Sequence, residues 1–266
     1  MSGFSADWLA LREGADHAAR NPDVASAAAA LLAGKKPARI IDLGSGAGSN
    51  FRGFSPLVSA PQEWTLVDYD ARLLAAAREK IAPLLLAQPR LTVDYAQADL
   101  MRDIETLLDR PCDLVAASAF FDLVSETWIS RFCAAVAARR LPLYAILTYD
   151  GEETWRPPHP LDTKILAAFT AHQATDKGFG PAAGPRAHGL MKRGLEGHGY
   201  VVRDGKSPWR LTLRERELMR QLTQGIARAA RESGLVSEHE AQTWRAAREG
   251  AQACEIGHRD LLAVVM

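Results

Sequence analysis

Residues 39–48 read Arg39-Ile40-Ile41-Asp42-Leu43-Gly44-Ser45-Gly46-Ala47-Gly48, an apolar run that breaks into three glycines at alternate positions. Glycines there strip Cβ from a turn placed directly behind a strand. Backbone can then lie against a flat ligand while the next helix aims its free N–H groups at it. The stretch predicts a strand, a nucleotide-type loop and a helix. A dinucleotide loop of the form G-x-G-x-x-G needs a third glycine at position 49, where Ser49 stands. Asp42 also opposes a pyrophosphate, by roughly 1 to 4 kcal/mol per pair of unit charges at about 4 Å. It suits a ligand that carries positive charge and hydrogen-bond donors.

The next strand signal is Trp64-Thr65-Leu66-Val67-Asp68-Tyr69-Asp70. It sets Asp68 about 20 residues past the loop, where Rossmann-like folds place the acid that grips a ribose diol. Asp70 reads as the N-cap of the Ala-rich helix that follows. The pattern D-x-G-x-G-x-G together with Asp68 resembles the first motifs of the class I S-adenosylmethionine-dependent methyltransferases. The resemblance covers roughly residues 36 to 149. It implies S-adenosyl-L-methionine as cofactor and cofactor-binding positions at Asp42, Gly44, Gly46, Gly48, Asp68 and Tyr69. Asp99, with the Leu100 backbone beside it, resembles the position that receives the adenine amino group, and it also reads as a helix N-cap. Ser118 ends the fourth strand signal, where that family exposes backbone to the methionine end of the cofactor.

Outward from the loop the chain alternates. Strands are predicted near 39–43, 64–68, 91–95, 112–118 and 142–149, with helices at 49–58, 70–87, 101–108 and 124–139 between them. This is an α/β fold, a Rossmann-like doubly wound sheet. The family implies seven strands, the last antiparallel. Before the sheet, residues 1–38 predict a helical arm, with Asn21-Pro22 opening its second helix and Gly34 ending it. Residues 39–149 form the S-adenosylmethionine-binding core. The Pro- and Gly-rich stretch 150–185 reads as a lid or substrate segment. Residues 186–266 complete the core, with a helical insertion at 212–250 opened by the capping boxes Thr212-x-x-Glu215 and Ser237-x-x-Glu240. The last strand is expected over Leu261 to Met266.

Methyl transfer from a sulfonium asks an enzyme mainly to orient the acceptor and exclude water. Asp122, following Ala117-Ser118-Ala119-Phe120-Phe121, is the first catalytic candidate, as orienter or proton acceptor, and alternatively caps the next helix. Tyr149 is the second, or else a core tyrosine. His159, His172 and Phe179 of the lid are candidate substrate contacts. No metal ligand set is read. Arg12 and Arg20 sit two turns apart on the arm; Arg12 is expected to meet the cofactor carboxylate as a bidentate partner. Arg20 is expected on a solvated face with Glu13 and Asp16. Arginines 214, 216, 220, 228 and 231 alternate with Glu215, Glu217 and Glu232 and read as an ion-paired surface.

The 266 residues carry 32 basic and 32 acidic side chains, which gives no global attraction to nucleic acid or to an anionic membrane. The Asn/Asp-Pro-Pro-Tyr/Phe tetrapeptide of many N-methylating enzymes is missing after the fourth strand. Cys112, Cys133 and Cys254 are odd in number and far apart, as expected of thiols in a reducing compartment. No leader is read, and the run Ala25 to Ala33 is too short to span a bilayer. The expectation is a cytoplasmic methyltransferase that modifies a small molecule, with no nucleic-acid or membrane partner. An RNA or protein methyltransferase, a non-catalytic protein that keeps the fold, and a nicotinamide-dependent oxidoreductase stand behind it.

Overall fold

The computed structural model describes residues 4–176 and 178–265. Lys177 of the predicted lid and Met266 of the predicted last strand lie outside them. The arm forms α1 (Ala6–Ala19) and α2 (Pro22–Leu31). Ser5 caps α1, and the Asn21 side chain accepts from the N–H groups of Asp23 and Val24 to start α2 with proline in its first turn. The alternation then runs β1 (Ala38–Leu43), α3 (Ser49–Phe54), β2 (Gln62–Asp68), α4 (Ala71–Ala87), β3 (Leu91–Gln97), α5 (Leu100–Leu108), β4 (Leu114–Ser118), α6 (Glu126–Ala138) and β5 (Leu143–Arg156). After it come α7 (Asp162–Gln173), α8 (Ala187–Gly197), β6 (Tyr200–Lys206), β7 (Trp209–Thr212), α9 (Arg216–Glu232), α10 (Glu238–Arg248) and β8 (Ala253–Val265).

The strands pair in the order β3-β2-β1-β4-β5-β8-β6, with β7 added beside β8. Strands β1 to β5 are mutually parallel, and β8 runs antiparallel to β5, β6 and β7. Helices cover both faces, so the central strands are apolar on both sides. One core holds Phe51, Phe54 and Trp64, and the opposite one holds Phe121, Trp128 and Phe132. Strand order reverses across β1, so a crevice opens beyond the carboxyl ends of β1 and β4, the place where open α/β sheets bind ligands.

Three boundaries depart from the sequence reading. The strand expected to stop at Tyr149 bends at two bulges and continues to Arg156, so residues 150–156 belong to the sheet. The last strand begins at Ala253, and the four residues of β7 make the sheet eight-stranded. Together Glu153–Arg156, Ala253–Ile256 and Trp209–Thr212 form an antiparallel extension. It carries α7, α9 and α10 on a third apolar cluster around Trp155, Trp209 and Trp244. Both predicted capping boxes are present, at Thr212 with Glu215 and at Ser237 with Glu240.

The glycine loop is set by packing as much as by any ligand. Gly48 adopts φ +78°, and a Cβ there would stand 2.7 Å from Ile81 Cδ1 on α4. Gly48→Ala is therefore expected to destabilise the fold by about 1 to 3 kcal/mol, from left-handed strain and the forced retreat of α4. Urea titration of both proteins measures it.

Candidate functional site

A cleft of about 830 Å³ lies at the carboxyl ends of the parallel strands. Its floor is the glycine loop after β1, with Asp42, Gly44, Ser45 and Gly46. Its far wall is Asp68 and Tyr69 after β2 and Asp99 and Leu100 after β3; Ser118, Ala119 and Phe120 follow β4. Leu9, Arg12 and Asp16 of α1 cover one side, and Gly178 and Phe179 close another. A Cβ at Gly44 would meet Phe120 Cδ2 at 2.8 Å and one at Gly46 would touch Leu9 Cδ1 at 3.0 Å, so both glycines make room for the apolar walls of the cleft.

The acids of the cleft are held in different ways. Asp42 is fully buried; Oδ1 accepts from Asn50 Nδ2 at 2.7 Å and Oδ2 has no partner. Burial pushes its carboxyl up to about 7, against the pull of Asn50 and Arg20. Asp68 accepts from Gly46 N at 2.8 Å and Asp70 N at 2.9 Å, so one carboxylate ties the glycine loop to the end of β2. Burial raises its proton affinity too. Asp99 caps α5 through Met101 N at 3.0 Å, as one of its sequence readings has it, and also lines the cleft.

Arg12 and Asp16 form a buried bidentate pair, with Nε to Oδ2 at 2.9 Å and Nη2 to Oδ1 at 3.0 Å. Trp209 Nε1 donates to the same Asp16 oxygen at 3.0 Å, and its ring lies 5.0 Å under the Arg12 guanidinium. This corrects the solvated face expected of the arm. Arg20 is not paired with Glu13 or Asp16; it donates to Asn50 Oδ1 and to the Tyr144 hydroxyl, and Glu13 pairs with Arg52.

Ten of the predicted positions line the cleft: Arg12, Asp42, Gly44, Gly46, Asp68, Tyr69, Asp99, Leu100, Ser118 and Phe179. Gly48 lies behind it against α4. Asp122 is buried in a 3₁₀ turn beside Leu123 of the cleft wall, not at the wall itself. Ser125 caps α6, which removes the capping role from Asp122; its Oδ1 is unpartnered and burial raises its carboxyl to about 6. The Tyr149 hydroxyl donates to Glu153 Oε1 at 2.8 Å within the third cluster, away from the cleft. His159 Nδ1 accepts from Leu161 N in the turn before α7, and His172 pairs with Glu232 at 3.2 Å. Neither histidine lines the cleft, so the structure does not join them to the predicted substrate contacts. The sequence reading missed Leu9, Asn50 and Phe120. Asn50, two residues past the last glycine, and Asp16, one turn past Arg12, had a positional signal.

Residues 40–140 match the family model of a methyltransferase domain. Over that stretch the chain carries a methyltransferase domain. The chain is similar in fold to the YcgJ protein of Bacillus subtilis, at TM-score 0.53 and 11% identity, over 92% of this chain and 99% of that one. It is also similar to the cyclopropane synthase MmaA2 of Mycobacterium tuberculosis, at TM-score 0.54 and 13% identity, over 98% and 94% of the two chains. At such identity the likeness concerns the fold. No curated protein matches the chain in sequence. Among its described residues no helix is long and apolar enough to cross a membrane.

Its buried acids link stability to pH. Asp42 and Glu153 sit at about 7 and Asp122 at about 6, all above their ordinary values, so the folded state takes up their protons first as pH falls. Their contribution is present at low pH and lost as pH rises through those values. His258, held near 3 by burial and by Arg12, and the lowered His188 act in the opposite sense, but the raised acids outnumber them. The ligand-free melting temperature is therefore expected to rise between about pH 8 and about pH 5.5, and Asp42→Asn to flatten part of that slope. Thermal unfolding across this range checks both.

Proposed function

We propose that the protein transfers the methyl group of S-adenosylmethionine to a small-molecule acceptor. The observation that carries this reading is the cover over part of the cleft. Helix α1 and Gly178-Phe179 supply it, and the cleft volume of about 830 Å³ is that of a small-molecule site. Leu9, Phe120, Leu123 and Phe179 make its covered part apolar apart from the Arg12–Asp16 pair. The balanced net charge also favours a small acceptor over a polyanion.

The residues present fit the cofactor, as the orphaned Oδ2 of buried Asp42 beside a Cβ-free loop indicates. Asp68 would receive the ribose hydroxyls, Asp99 and the Leu100 N–H the adenine edge, and Tyr69 would cover it. The Gly44 and Gly46 backbone and Ser118 would flank the methionine end, with Asp42 accepting from its ammonium. Arg12 has Nε and Nη2 engaged by Asp16, which leaves Nη1 for the carboxylate. S-adenosylmethionine supplies a methyl group activated on a sulfonium. What the chain adds is alignment of the acceptor, exclusion of water by α1 and Phe179, and a proton acceptor, for which Asp122 is our assignment.

The test is incubation with methyl-labelled S-adenosylmethionine and a cell extract, followed by dialysis. Label is expected in a dialysable product that separates from unreacted S-adenosylmethionine by chromatography and does not form when the protein is left out. Label retained on RNA or protein overturns the small-molecule reading, and tight NADH binding with none of S-adenosylmethionine overturns the cofactor.

A further inference from the structure

Asp42 is the cleft acid with no access to solvent, and a chain of side chains leads away from it. Its Oδ1 accepts from Asn50 Nδ2 at 2.7 Å. The Asn50 carbonyl oxygen in turn accepts from Arg20 Nη2 at 3.1 Å, and Arg20 Nη1 donates to the Tyr144 hydroxyl at 3.1 Å. Arg20 stands at the end of α1, outside the cleft, so the chain links the cofactor loop to the arm through α3. Shape holds the link in place. Gly53 of α3 leaves room for the arm: a Cβ there would lie 2.8 Å from His17 Nε2 and 2.9 Å from Arg20 Nη2. His17 Nε2 itself lies 2.9 Å from the Ser49 carbonyl oxygen.

We propose that Arg20 and Asn50 are positioning residues for cofactor capture. They fix the Asp42 carboxyl with Oδ1 turned into the protein and Oδ2 left for the ammonium end of the ligand, and they stand the arm's positive charge behind it. Docking of the arm thereby decides how tightly the cleft holds its cofactor. The inference rests on the reading that the cleft takes S-adenosylmethionine.

Charge decides the direction of the effect. Arg20 favours the ionised Asp42, and Asp68 at the end of β2 opposes it. Arg12 and Asp16, the charged pair that α1 adds to the same cleft, largely cancel each other. Asn50 is neutral and passes the arginine's polarity on through its amide. With Arg20 gone, Asp42 keeps its proton to higher pH, and a protonated carboxyl attracts an ammonium poorly.

The experiment is calorimetric titration of the full chain between about pH 6 and about pH 9 with two ligands: S-adenosylhomocysteine and its analogue lacking the α-amino group. The proteins are the unaltered chain, Arg20→Met, Arg20→Lys and Gly53→Ala. Gly53→Ala displaces the ends of His17 and Arg20 while substituting no cleft residue, and alanine suits a helix better than glycine. Arg20→Met and Gly53→Ala are expected to weaken S-adenosylhomocysteine at least about tenfold near pH 7 and the analogue by less than about twofold. The pH at which affinity reaches half its plateau moves up, and Arg20→Lys restores part of the loss. Equal losses for both ligands make Arg20 merely structural and overturn the proposal. Variants that match the unaltered chain at every pH overturn it as well, while leaving the cofactor reading intact. An unaltered chain that binds neither ligand overturns the cofactor reading itself.

Discussion

Asp68→Ala is expected to weaken S-adenosylhomocysteine binding by roughly 10²-fold or more, because the proposed ribose role rests on two charge-assisted hydrogen bonds of about 1.5 to 3 kcal/mol each, which would disappear together. The structure adds a second consequence. Asp68 also accepts from Gly46 N and Asp70 N, so its removal unties the glycine loop from the end of β2 and leaves two part-buried donors without that partner. The melting temperature should therefore fall as well. Asp68→Asn keeps one acceptor oxygen and should lie between the two in both measurements. An unchanged dissociation constant with a normal melting temperature would reject the ribose role.

Turnover by Asp122→Asn is expected to fall between about 10²- and 10⁴-fold, the range lost with a general base, while the cofactor dissociation constant stays put. Asp122 follows β4 in a buried turn, one residue before Leu123 of the cleft wall. It is buried, its Oδ1 has no partner, and the Arg12 guanidinium is the charge that stabilises its ionised form. Only the ionised form takes a proton. With the carboxyl at about 6, turnover should rise with pH through that value and then level off, and the limb should vanish in Asp122→Asn. A role in packing alone would lower the melting temperature and leave the limb in place, which is the outcome that removes Asp122 from the chemistry.

The core of the site was legible because its residues follow one another along the chain. Asp42 to Gly48, Asp68 and Asp99 each sit at the end of a strand that an apolar run announces, and the sheet gathers strand ends on one edge. Helix starts at Asn21, Asp70, Ser237 and Thr212 were legible for the same reason, since a cap acts on N–H groups two or three residues away. The lid was not. Asp150 to Arg156 carries polar residues and Gly151, the marks of a loop, and becomes a strand because β8 pairs with it from about 100 residues away.

By itself, then, the sequence determined the doubly wound sheet, the glycine loop and the acids around it. Tertiary structure alone decided what the arm does. Arg12 reads as a partner for a ligand carboxylate and Asp16 as a solvated partner of Arg20, yet the two form one buried pair on the cleft, and Trp209, 193 residues from Asp16, donates to it. Arg20 reads as a surface charge until Asn50 and Tyr144 enclose it. His159 and His172 read as free bases until a turn and Glu232 engage them. Local spacing fixes which groups stand beside one another on a strand or helix. Burial, and with it proton affinity and pairing, depends on side chains brought in from distant parts of the chain, and no local pattern records them.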